Sequence, residues 1–323
     1  MSQTYFLTGA LGCIGAWVTK TIVERGDVPV VFDLGTDRRR LADVIAEEDL
    51  ARVRFVAGDV TDAVQVLRAV EESGAKRLIH LAGLQVPFCR ADPALGARVN
   101  VLGTIHVFEA AKAVGAERVA YASSAAVYGY EEDAGAPDES AALDPATHYG
   151  VYKRANEGSA RVYYRDDGLS SAGLRPLTVY GVGRDQGMTS GTTSAMKAAV
   201  LGRPFTIRFG GATDFHYVAD TAAAFVACAD RGPEGAQLYN LHGVTAPVAR
   251  VVELIAENEP ASRGRITIDG GAIPIPPELD GAAIHRAVGG LSTTSLEAGV
   301  RETMRRFREL HERGRLDTRD LDA

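Results

Sequence analysis

The sequence predicts an α/β protein, a doubly wound parallel sheet carrying a smaller C-terminal substrate lobe. Three observations carry that prediction. Short β-branched or apolar runs alternate with helical stretches through the first half of the chain, which is the pattern of βαβ units. A glycine-rich turn joins the first run to the first helix. After Tyr180 the composition shifts toward glycine, threonine and proline, which suggests loops and short elements.

The candidate strands are residues 5–8, 28–33, 53–57, 77–81, 118–123 and 171–175. Between them, helical patterns cover 17–24 and 64–73, the second with Asp62 placed near its start as a cap. The segments 97–114 and 149–166 are the two longest helices expected. Two later segments, 214–230 and 238–241, return to sheet-like character, so the chain leaves the sheet, builds part of a cap and comes back. This division assigns 1–175 and 214–243 to the sheet domain and 176–213 and 244–323 to the substrate lobe. A cleft is expected between them, at the carboxyl ends of the strands. Residues 295–313 have helical spacing and lead into a polar tail.

Composition excludes several classes. The chain has 323 residues, 46% hydrophobic and 24% charged, which is globular composition. It contains no apolar run of about 18 residues, so no membrane span is expected. A net charge of -7 gives no sequence-wide basic field, so nucleic acid is not an expected partner. The first ten residues lack the features of a secretory signal, and the expected location is the cytoplasm. Cys13, Cys89 and Cys228 are odd in number and far apart, which suggests three buried thiols rather than a disulfide framework or a metal site.

The glycine turn reads Thr8-Gly9-Ala10-Leu11-Gly12-Cys13-Ile14-Gly15. Glycines here let the chain turn tightly, let backbone amides approach a pyrophosphate, and aim a helix amino end at the anion. The second strand ends at Asp33, eighteen residues beyond Gly15, where a carboxylate accepts hydrogen bonds from ribose hydroxyls and repels a 2′-phosphate. That favours NAD. Arg38, Arg39 and Arg40 follow closely and are the residues through which NADP would be served instead.

With its GxxGxxG spacing the chain begins to resemble the extended short-chain dehydrogenase/reductase family, in its NAD-dependent epimerase/dehydratase branch. Gly58-Asp59-Val60 resembles the family's adenine-binding element. His80-Leu81-Ala82-Gly83 resembles its HxAG element beside the cofactor, and Asn100-Val101-Leu102-Gly103-Thr104 its NVxGT. Ser123-Ser124-Ala125-Ala126-Val127-Tyr128-Gly129, Tyr149-Gly150-Val151-Tyr152-Lys153 and Arg175-Pro176-Leu177-Thr178-Val179-Tyr180-Gly181 complete the series, which runs from Thr8 to about Asp230. The resemblance implies a Rossmann fold, NAD as cofactor and a homodimer formed by the two long helices. It implies cofactor contacts at Gly9, Gly12, Cys13, Ile14, Gly15, Asp33, Asp59, Val60, Leu81, Ala82, Gly83, Asn100, Tyr149, Lys153 and Pro176.

Tyr149 and Lys153 are four residues apart and so lie on one helix face. A phenol is a poor base at neutral pH, and a nearby ammonium and a positive nicotinamide favour its ionised form. Tyr149 then takes a substrate hydroxyl proton, Lys153 lowers its pKa and holds the nicotinamide ribose, and Ser124 orients the hydroxyl. Relatives that dehydrate or decarboxylate sugars carry an acidic residue where this chain has Ala125 or Ala126, so hydride chemistry alone is implied.

The resemblance fails at the diphosphate anchors. Thr178 stands where nucleotide-sugar epimerases have Asn, Thr213 where they have Arg, and a further Arg expected before Thr294-Ser295-Leu296-Glu297 has no clear counterpart. Arg203 and Arg208 are the candidates to compensate. The substrate contacts expected are Gln85, Ser124, Ala125, Thr178 and His216, with no metal. The activity expected is redox-neutral epimerisation of a carbohydrate-type substrate that need not carry a nucleotide. The alternatives are an NAD-dependent dehydrogenase of a free sugar, sugar acid or polyol, and a dinucleotide-sensing regulator.

Overall fold

Seven parallel strands form the sheet that positions the site. The structure is a computed structural model that describes residues 2–129 and 135–322. Strands β1 (Thr4–Thr8), β2 (Val28–Asp33), β3 (Arg54–Ala57), β4 (Arg77–His80), β5 (Arg118–Ala122) and β6 (Ser171–Arg175) match the expected runs to within one residue at each end. They are followed by β7 (Thr178–Tyr180), β8 (Phe205–Ile207), β9 (Ala212–Tyr217), β10 (Ala236–Asn240), β11 (Val244–Pro247) and β12 (Ile266–Ile268). The main sheet has the order β10-β6-β5-β4-β1-β2-β3, with every neighbouring pair parallel. The order reverses at β1, so a crevice opens beyond the carboxyl ends of β1 and β4.

Both faces of this sheet are covered, and β1 shows how. Tyr5 and Leu7 point into one apolar layer with Val31, Ile79 and Trp17, while Phe6 points into the other with Phe32, Leu78 and Phe108. This is the period-2 alternation of a strand buried on both sides. The helix Cys13–Glu24 follows β1, and Ala63–Ser73 is capped by Asp62, which accepts from Val64 N at 2.9 Å and Gln65 N at 3.1 Å.

Three expectations need correction. Of 214–230 only the first residues are strand, since Val218–Asp230 is a helix packed on Cys13–Glu24. Its sequence is alanine-rich, and alanine is the strongest helix former. Strand β9 pairs parallel with β7 and antiparallel with β11 in a separate sheet, and the return to the main sheet is made by β10. The expected helix 97–114 is interrupted by a π-helical segment, Arg98–Leu102, before the regular helix Gly103–Ala113. Finally, Cys89 and Cys228 are buried but Cys13 is only partly so, and all three are free thiols.

Candidate active site

The crevice beyond β1 and β4 is a cleft of about 290 Å³. At one end lies the glycine turn. Gly9 has φ of 71°, and a Cβ there would overlap the backbone of Ala82, while one at Gly15 would overlap the Gly9 carbonyl. The helix Cys13–Glu24 starts with no side-chain cap, which leaves its first amides free for an anion. Asp33 at the end of β2 accepts from Leu11 N at 3.0 Å and Gly35 N at 3.2 Å, so its carboxylate is fixed beside the turn. Uncapped amides, a cradle that only glycine leaves open and a carboxylate at the strand end fit the pyrophosphate and ribose of NAD.

The middle of the cleft carries the proton-handling groups. Thr147 starts the helix His148–Asp167 by accepting from Gly150 N at 3.1 Å, and one turn of that helix brings Tyr149 and Lys153 to the cleft wall. Ser124 follows β5 and faces them. Burial raises the pKa of the Tyr149 phenol, while hydrogen bonding to Ser124 and the charge of Arg184 act in the opposite direction. Lys153 is buried, donates to the Ala122 carbonyl at 2.8 Å, and lies 5.4 Å from the Tyr149 ring centroid. Burial pushes its ammonium down to about 8. Arg184 therefore acts on the phenol as a further cation, beside Lys153 at the ring.

Beneath this wall Glu157, one turn beyond Lys153, holds Arg175 by two hydrogen bonds of 2.7 Å and accepts from Ser123 Oγ at 2.6 Å. Both charged side chains are fully buried, so the pair ties β5, β6 and the helix together below the cleft.

Of the residues expected at the site, the cleft brings together Gly9, Gly12, Cys13, Ile14, Gly15, Leu81, Gly83, Gln85, Ser124, Tyr149, Lys153 and Pro176. Asp33 and Asp59 stand at the carboxyl ends of adjacent strands β2 and β3, outside the enclosed part of the cleft, and Ala82 lies against Gly9. Val60 is buried against Gly103. Asn100 lies behind Gly83, and its amide donates to the Leu84 and Gly96 carbonyls, each at 3.1 Å.

Three expected substrate contacts are placed elsewhere. Ala125 is fully buried with its amide on the Pro176 carbonyl, and Ala126 lines the cleft instead. Thr178 is fully buried and hydrogen-bonded to Thr213 at 2.8 Å. His216 borders a separate cavity of about 30 Å³, with its Nε2 3.7 Å from Asp214, and burial lowers its pKa. Arg203 and Arg208 pair with Asp322 and Asp269, away from the cleft. The sequence reading overlooked Arg184, Met188 and Thr189 from the loop after β7, and Ile273, Pro274 and Ile275 from the segment after β12. Only Arg184 left a signal, a cation three residues beyond Gly181.

The loop after β7 is strapped to the glycine turn. Trp17 Nε1 donates to the Val182 carbonyl at 3.0 Å, and Arg40 donates to the Leu11 carbonyl at 3.0 Å while holding Asp185 at 2.7 Å.

Comparison with known proteins agrees with this geometry. A family model described as the NAD dependent epimerase/dehydratase family matches residues 5–241. The UDP-glucose 4-epimerase of Mycolicibacterium smegmatis is 30% identical over 73% of this chain and 75% of its own length. UDP-glucuronate 4-epimerase 4 of Arabidopsis thaliana is 25% identical over 94% of this chain and 74% of its own. The structure of the UDP-glucose 4-epimerase of Thermus thermophilus in complex with NAD superposes with a TM-score of 0.81 at 25% identity, covering 95% of this chain and 99% of that one. No helix among the described residues is long and apolar enough to cross a membrane.

Proposed function

We propose, for a chain that belongs to the NAD dependent epimerase/dehydratase family and is an NAD-dependent enzyme, that it catalyses redox-neutral epimerisation at a secondary hydroxyl carbon of a carbohydrate-type substrate. The observation that carries this reading is the meeting of Ser124, Tyr149 and Lys153 on one wall of a cleft that ends at the uncapped helix amino terminus. NAD, held by the glycine turn and Asp33, supplies a hydride acceptor when bound. Tyr149 takes the proton of the substrate hydroxyl as its carbon loses hydride, and returns it when the carbonyl is reduced again. Ser124 holds that oxygen through both steps. Lys153, anchored on the Ala122 carbonyl, faces Gly83 and is placed to hold the nicotinamide ribose. The relatives named as 4-epimerases support a sugar as the substrate, and the working unit is proposed to be a homodimer.

A second reading is a dehydrogenase of a free sugar, sugar acid or polyol. It is favoured by Thr178 and Thr213, whose hydroxyls satisfy each other and offer nothing to a substrate diphosphate. Incubation with NAD and two panels, nucleotide sugars and free sugar acids, separates the two when absorbance at 340 nm and product NMR are followed together. An epimerised product without lasting absorbance supports the first reading. Absorbance that accumulates with product overturns it in favour of the second.

A further inference from the structure

Arg184 influences the Tyr149 phenol through its charge alone, since its guanidinium forms no hydrogen bond with that residue. Its Nη2 donates to Thr189 Oγ1 at 3.1 Å, and its buried Nε has no hydrogen-bond partner. Among the described residues it forms no ion pair, whereas Arg39 and Arg40 nearby both hold Asp185. The residues lining the cleft include no Asp or Glu, and the other cation among them, Lys153, donates to the Ala122 carbonyl and is assigned above to the nicotinamide ribose. Leu177, Met188, Ile273, Pro274 and Ile275 give the cleft apolar lining. An unmatched guanidinium N–H in such surroundings is unfavourable until an anion completes it.

The number of charges limits what that anion is. A diphosphate brings two charges and needs several donors, yet Thr178 and Thr213 are bonded to each other, and Arg203 and Arg208 are paired elsewhere. One free guanidinium matches one negative charge, and its planar fork matches a carboxylate through two parallel hydrogen bonds. We propose that Arg184 binds a carboxylate of the substrate, which makes the substrate a free sugar acid or related hydroxy acid whose reacting hydroxyl lies at Tyr149 and Ser124. This rests on the assignment of Ser124 and Tyr149 as the reacting end of the cleft. The same guanidinium chemistry would also suit the NAD pyrophosphate, because Arg184 and Cys13 line one cleft.

Calorimetry on the full-length, NAD-saturated protein tests the proposal by binding alone. The probes are glucuronate, galacturonate and threonate, each against its neutral counterpart (glucose, galactose and threitol), together with UDP. At least one acid is expected to bind at least about tenfold more tightly than its neutral counterpart, and UDP is expected not to bind. Arg184→Gln should remove that preference and leave NAD affinity and the thermal midpoint unchanged, while Arg184→Lys, which keeps charge without the fork, should keep part of it. Three results would overturn the proposal: no acid preferred in the wild type, a preference that survives in Arg184→Gln, or a comparable loss of NAD affinity in that variant, which would assign Arg184 to the pyrophosphate. Tyr149→Phe keeps the acid preference under the proposal, so failure of the proton-transfer assignment and failure of this one are told apart.

Discussion

Tyr149 has to work as a base in a place that disfavours its charge. The ordinary phenol pKa is near 10, and burial raises that of Tyr149 further. Ser124 and Arg184 supply the opposing contributions within the protein. Replacing Tyr149 by Phe removes the proton acceptor without changing the packing, so turnover is expected to fall by about a hundredfold or more with NAD affinity unchanged. Steady-state kinetics beside NAD calorimetry checks both halves. The sign of the pH dependence follows from the same balance. The phenol must be ionised to act, so kcat/KM rises with pH through the alkaline side, and Arg184→Gln, by removing a cation, moves that rise to higher pH. A profile shifted to lower pH in the variant would contradict the assignment. Cofactor choice is also a matter of single residues. Arg38 stacks on the Phe55 ring at 3.6 Å, and Arg39 and Arg40 are held by Asp185, with Arg39 also on Asp317. Arg39 and Arg40 are thus held by carboxylates, and Asp33 repels a 2′-phosphate. NAD is expected to bind at least about tenfold more tightly than NADP, and a reversed order in calorimetry would remove Asp33 from its role.

At the scale of elements, the active geometry depends on how closely the helix His148–Asp167 approaches the Ser124 turn. Gly150 permits it, because a Cβ there would overlap the Ala126 carbonyl and press on Pro145. Gly150→Ala should push Tyr149 away from Ser124 and lower kcat by about tenfold or more, with a smaller effect on NAD affinity, as stopped-flow and equilibrium binding would show. Elements of this kind were legible in the sequence where a local rule dominates: the six strands from their apolar runs, the glycine turn from its spacing, and the cap at Asp62 from its position. They were not legible where tertiary packing decides. The segment Val218–Asp230 is mostly apolar, with an unbroken run from Ala222 to Ala229, so periodicity alone does not distinguish a buried helix from a strand. The π-helical segment Arg98–Leu102 leaves no local mark. Thr178 shows the same limit at the site. Alternate residues of a strand face opposite sides, so Val179 lines the cleft while Thr178 turns toward Thr213. Motif resemblance located the strand without fixing which of its residues faced inward. Arg184 and the wall at Ile273–Ile275 enter the cleft from distant loops, and no spacing rule links them to Tyr149.

Across the whole molecule, the surface left uncovered points to a second copy of the chain. The helix His148–Asp167 buries Lys153, Asn156, Glu157 and Ala160, and on its outer side Val151 and Val162 are 47% and 45% exposed. Ala155 and Gly158 lie between them at helical spacing, so small side chains occupy the middle of an apolar stripe. Phe88, Leu95 and Leu102, at 47%, 39% and 41% exposure, extend this apolar character onto adjoining helices. Contiguous exposed apolar surface of this kind marks an interaction face. A two-fold axis lets one such stripe cover its own copy, with the small residues allowing the helices close approach, so the expected assembly is a homodimer built on a four-helix bundle. A symmetric interface also sets the test. Near the axis a residue meets its own counterpart, so Val162→Glu places two like charges in an apolar contact. Light scattering at micromolar concentration is expected to give twice the single-chain mass for the wild type and the single-chain mass for Val162→Glu. The cleft lies on the opposite side of this helix, so NAD affinity should be retained in the variant. A wild type that scatters as a single chain would leave the apolar stripe without its proposed partner.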